Sequence, residues 1–168
     1  MSDPNDKFKG KFEISYEDYF RTRFNGITEM VRALTPIMDQ MEALDKIKAL
    51  YEKKGKTLIA RLLKNKKPIA NFEEFKEAYK EQMSSEFMQQ CLDFTITEDT
   101  SDKLTFKFTK CLWAKTFLEN NEPGLGYAMC CYPDYAMAKV FNPKLKLIRN
   151  KTIMQGNDYC KCTYQWED

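Results

Sequence analysis

Apolar positions in the first half of the chain recur at three- and four-residue intervals. Tyr16, Tyr19, Phe20, Phe24, Ile27, Met30 and Val31 trace one broad helical face with Arg23 at its margin, and Ser15 with Asp18 forms a capping signal at its start. Pro36 interrupts the run near Thr35. Helical spacing resumes through Ile37, Met41, Leu44, Ile47 and Tyr51, and Gly55 predicts a weak break before Leu58, Ile59, Leu62 and Leu63. Pro68 marks a boundary, after which Asn71 and Glu74 read as a capping box for a helix carrying Phe72, Phe75, Tyr79, Met83 and Phe87 inward.

From Phe94 the period shortens to two. Phe94 and Ile96, then Leu104, Phe106 and Phe108, alternate with polar positions, and residues 99–103 connect them as antiparallel strands. A second pair is predicted over 145–148 and 159–166, joined through Gly156 and Asn157. Between the pairs, Gly124 and Gly126 relieve a turn before a helix over residues 127–140, which Asn142 and Pro143 end. The fold class is therefore α+β: a helical N-terminal half packed with a small antiparallel sheet and inserted helices. Residues 15–168 are expected to form a single domain behind a flexible polar tail, residues 1–14.

Length and composition fit that single core, since 12 Phe, 9 Tyr and 9 Met supply bulky interior material for 168 residues. No apolar run reaches the length of a membrane span and no export signal opens the chain, so a cytoplasmic location is the default expectation. Reduced thiols are then the expected state of the six cysteines. A net charge of +2 implies no nucleic-acid partner, and no nucleic-acid module is recognisable. The charge is nonetheless uneven: Lys46 through Lys67 hold nine basic residues against the single acid Glu52. This stretch reads as a solvated helix face, or as a surface for a phosphate, an anionic membrane or an acidic protein partner.

Chemistry concentrates in the last third. The chain has no histidine, so every imidazole-dependent mechanism is excluded. On a helix, Cys130 and Cys131 each share a face with Asp134, while Cys160 and Cys162 point to the core side of the last strand with Tyr164 and Trp166. Cys111 closes an earlier strand and can meet Cys160. Packing explains these thiols, and so does a reactive site at an exposed edge of the cluster. Three thiolates with Asp134 also make four ligands, although their spacing follows no zinc pattern and zinc is a weak option; no organic cofactor is expected. Arg149 offers a persistent cation suited to a carboxylate or to an internal ion pair. Asn142 can orient substrate or water, or simply end its helix, and Gly156 suits a turn.

The segment Cys111-Leu-Trp, the run Gly-Tyr-Ala-Met-Cys-Cys-Tyr-Pro-Asp134, Phe-Asn142-Pro143, Arg149, Gly156 and Cys160-Lys-Cys-Thr-Tyr together resemble the L-2-amino-thiazoline-4-carboxylic acid hydrolase family, over about residues 104–166. That resemblance implies hydrolytic opening of a cyclic thiazoline carboxylate to an N-carbamoyl cysteine. It places family positions on Cys111, Cys131, Asp134, Asn142, Arg149, Gly156 and Cys160. Cys131 is the candidate nucleophile, Asp134 orients water or accepts a proton, and Arg149 and Asn142 bind a small carboxylated heterocycle. Two alternatives stand beside this: a noncatalytic small-ligand or metal-binding domain, and an interaction module using the basic helix face.

Overall fold

Local signals explain where the elements begin. In a computed structural model describing residues 13–37 and 39–167, helix α1 spans Tyr16–Leu34, and the Ser15 hydroxyl accepts the Asp18 amide at 3.0 Å. The expected tail, residues 1–14, lies outside the described residues except for Glu13 and Ile14. Pro36 falls in a single 3-10 turn, Thr35–Ile37, and Asp39 caps α2, Gln40–Leu63. The predicted break at Gly55 is absent. Gly55 is buried because α2 lies close against a later helix, where an added Cβ would come within 2.9 Å of Met137 Cγ and 3.4 Å of Pro133 Cβ. Gly55 is required there for space and not for conformational freedom.

The Asn71 side chain accepts the Glu74 amide at 2.9 Å and starts α3, Phe72–Met83. The helix predicted to run on to Phe87 instead stops at Met83, and Ser85 caps a separate short α4, Glu86–Cys91. Strands β1, Leu92–Asp99, and β2, Lys103–Cys111, follow as the antiparallel pair read from the alternation. Two short helices, α5 (Leu112–Glu119) and α6 (Pro123–Gly126), then lead into a π-helical turn, Tyr127–Cys131, and α7, Pro133–Phe141. Strands β3 (Leu145–Lys151) and β4 (Cys160–Trp166) complete a four-stranded antiparallel sheet of order β1-β2-β4-β3.

One face of this sheet carries the larger core. Phe106 pairs with Cys162, and Leu104 with Tyr164, which in turn faces Leu147 on β3. Phe75 of α3 lies over Tyr164, with ring centroids 5.1 Å apart, and the Tyr79 and Tyr164 hydroxyls satisfy one another at 2.8 Å. A second core gathers Phe20 and Phe24 of α1 with Phe117 of α5, Leu125 of α6 and Met129. There Trp113 meets Phe20 edge-on at 4.9 Å, whereas Trp166 packs near Phe72 at 6.1 Å in the sheet core. The aromatic stripe of α1 is only partly interior: Phe20 and Phe24 are buried, while Tyr16 and Tyr19 lie at the surface.

Candidate functional site

Arg149 enters the inner face of the sheet from β3, opposite Cys162 of β4. Its Nε donates to the Cys162 sulfur at 3.0 Å, Nη1 to the Cys131 carbonyl at 2.7 Å, and Nη2 to Asp134 Oδ2 at 2.6 Å. The guanidinium lies 5.8 Å from the Tyr135 ring centre, and the Tyr135 hydroxyl donates back to the Arg149 carbonyl at 3.2 Å. Burial works against this cation, but the Asp134 carboxylate holds it protonated.

The irregular helix supplies the carbonyl that Arg149 uses. In the π-helical turn the Tyr132 amide reaches back five residues to the Tyr127 carbonyl, at 2.8 Å. Pro133 has no amide to continue the ladder, and the Tyr135 amide bonds the Tyr132 carbonyl at 3.3 Å. The Cys131 carbonyl thereby meets the guanidinium. The helix predicted over residues 127–140 is thus two segments of different pitch, and Arg149 ties Cys131 and Asp134 together across their junction.

Burial pushes every thiol of the cluster up. Cys111 rises to about 12, even though the Ala114 and Trp113 amides at the start of α5 favour its thiolate. Burial also raises Cys131 and Cys160, against the opposing influence of Arg149 on each. The Cys160 sulfur accepts the Ile153 amide at 3.1 Å. These groups are neutral thiols near pH 7. Burial raises the Asp134 carboxyl too, while Arg149 lowers it, and the 33% of its side chain that remains exposed moderates the burial effect.

Cys111, Cys131, Cys160, Asp134 and Arg149 therefore share one electrostatic neighbourhood. Asn142 stands apart, roughly 12 Å along α7 from Asp134 at the usual helical rise, where it donates to the Ile69 carbonyl at 2.9 Å and accepts the Lys144 amide at 2.9 Å. Gly156 adopts φ 85° in the turn before β4, a backbone conformation glycine favours. Cys162 and Tyr135 were not singled out as site residues, yet both touch Arg149. Their signals were present: Cys162 shares a strand face with Cys160, and Tyr135 follows Asp134 directly. Among the described residues no three Cys, Asp or Glu side chains are grouped to hold a metal ion, so the zinc arrangement considered above is not formed. All six cysteines are free of disulfides.

A groove of about 400 Å³ between α2 and α7 is lined by Glu52, Lys56, Tyr132, Tyr135, Ala136 and Lys139. Its lysines are already paired, Lys56 with Glu52 at 2.5 Å and Lys139 with Glu167 at 2.8 Å. The groove shares Tyr135 with the Arg149 cluster and has no unpaired cation of its own among the described residues.

The fold is similar to that of a trafficking protein particle complex subunit 3 from Naegleria fowleri, solved covalently bound to palmitic acid. The TM-score is 0.52 at 11% identity, over 90% of this chain and 95% of that one, a likeness of fold alone. An H-NOX protein from K. algicida in its Fe(II) unliganded form aligns over 97% of this chain and 92% of its own, at 16% identity and a TM-score of 0.42. No curated protein matches the sequence. The family profile for L-2-amino-thiazoline-4-carboxylic acid hydrolase matches residues 20–164, which takes in both cores, the thiol cluster and the Asp134–Arg149 pair. The chain belongs to the L-2-amino-thiazoline-4-carboxylic acid hydrolase family.

Proposed function

We propose that this protein hydrolyses a cyclic amidine-like thiazoline carboxylate, with L-2-amino-thiazoline-4-carboxylate opening to N-carbamoyl-L-cysteine. The observation that carries the reading is the partly exposed Asp134 carboxylate held against Arg149 at 2.6 Å. Of the five guanidinium donors, three are engaged inside the protein, and the other two are assigned to the substrate carboxylate. Asp134, raised by burial, is a better base than an ordinary aspartate and still meets solvent.

Water adds to the ring carbon between sulfur and nitrogen, and Asp134 takes its proton. The added hydroxyl then becomes a carbonyl as its proton passes to the ring nitrogen, the carbon–sulfur bond breaks, and the carboxyl gives the first proton to the departing sulfur. Covalent attack by Cys131 needs a thiolate that burial disfavours, so the water route is preferred. Cys131, Cys111 and Cys160 are then assigned a packing role beside the site and not a covalent one. Asn142, tied into the α7 terminus, is assigned to holding that turn and not to the substrate. Six unpaired thiols support a reducing, cytoplasmic setting for the reaction.

Incubation with L-2-amino-thiazoline-4-carboxylate, with and without a cell extract supplying a protein partner, is followed by mass spectrometry for the carbamoyl product. Asp134→Asn is expected to lower turnover by about 10²-fold or more, and Cys131→Ala to leave measurable product. A wild-type protein that yields no product in either condition overturns the substrate; complete loss in Cys131→Ala, with its fold intact, restores the covalent route.

A further inference from the structure

The basic stretch singled out in the sequence takes no part in the thiol cluster. It forms the outward side of α2 and the residues just beyond it. Leu50, Lys54, Leu58 and Leu62 follow one another at four-residue steps along a single helix face, with Arg61 beside them. The three leucines are 49%, 51% and 54% exposed. Between residues 53 and 67 the chain has seven basic side chains and no acid. Two of the seven form ion pairs, Lys56 with Glu52 and Lys67 with Glu74. Lys53, Lys54, Arg61, Lys64 and Lys66 form none among the described residues, and Lys54 lies 4.9 Å from the Tyr51 ring centre.

We infer that this face of α2 docks peripherally on an anionic phospholipid surface. The leucine ladder covers roughly 18 Å of helix, long enough to lie along the headgroup boundary with its apolar side chains inserted. The lysine and arginine stems reach from that depth to the phosphates. Charge complementarity decides the occupant. A second copy of the chain, related by a two-fold axis, would set these cations against themselves, whereas an anionic bilayer satisfies both the charge and the exposed leucines. No helix among the described residues is long and apolar enough to cross a membrane, so the contact is one of surface attachment.

The full chain is sedimented with vesicles of equal parts phosphatidylserine and phosphatidylcholine, and with pure phosphatidylcholine vesicles. Binding is expected only to the former and is weakened by salt. Leu58→Gln/Leu62→Gln and, separately, Lys54→Glu/Arg61→Glu are each expected to weaken it about tenfold or more, with unchanged thermal unfolding. Failure of the wild type to bind at low salt overturns the proposal. So does equal binding by the leucine variant, which marks simple attraction of an acidic polymer, or a stable dimer in sedimentation velocity that the leucine variant dissociates.

Discussion

The two ends of the sheet's inner face are built from the same strands and do opposite things. At one end Leu104 of β2, Tyr164 of β4 and Leu145 and Leu147 of β3 are buried against Phe75. Toward the other end the same strands reach Cys111, then Cys162 and Cys160, and then Arg149. Large rings at the first end fill space and need only the Tyr79–Tyr164 hydroxyl pair to satisfy their polar atoms. Small thiols at the second leave room for a charged pair carried by a neighbouring strand and a neighbouring helix. The difference separates stability from chemistry along one continuous surface.

The sharpest way to break that division is Phe75→Ala. With no exposed surface, Phe75 should cost about 3–5 kcal/mol on truncation, read from chemical denaturation, while the protein that remains folded keeps its turnover. Arg149→Met should cost about 3 kcal/mol, because it strips the cation from the two-thirds-buried Asp134 carboxylate and leaves the Cys131 carbonyl unpaired, and should abolish substrate binding as well. An Arg149→Met protein as stable as wild type would show that the pair contributes nothing to the fold.

The thiols predict a weaker, pH-dependent effect. A thiol raised in the folded state stabilises the fold below its unfolded value and ceases to do so as pH rises through the folded one. For Cys111 this stability is present below pH 9.0 and is lost as pH rises toward about 12. Denaturation midpoints should fall across that window, and less steeply in Cys111→Ala. The smallest effect belongs to the surface. Lys139 and Lys146 hold Glu167 down to about 2 from 4.5, so its contribution is present above pH 4.5 and lost as pH falls toward 2. Glu167→Gln should flatten only that acid limb of the stability curve, without touching turnover.

Most of the fold was legible because its signals are local. Ser15 and Asn71 cap the helices they were expected to cap, Pro36 ends α1, and the alternation from Phe94 to Phe108 makes the first strand pair. One misreading was local, the Ser85 cap that splits α4 from α3, and the others came from the surrounding fold. Gly55 looks like a helix breaker until Met137 and Pro133 of α7 are seen to require its missing side chain. The helix over residues 127–140 looks continuous in its spacing, and only the chain's backbone path reveals the wider turn before Pro133. The thiols, Asp134 and Arg149 were identifiable by residue type and by family resemblance. That Arg149 would spend three donors within the protein depended on strand register, which no local pattern encodes.

The two tryptophans divide between the two cores, Trp113 beside Phe20 and Trp166 near Phe72. Each is therefore an intrinsic optical reporter for one half of the interior. Replacing either with phenylalanine leaves a single emitter, and coincident or separated fluorescence transitions in the two variants would measure directly whether the halves melt as one cooperative unit.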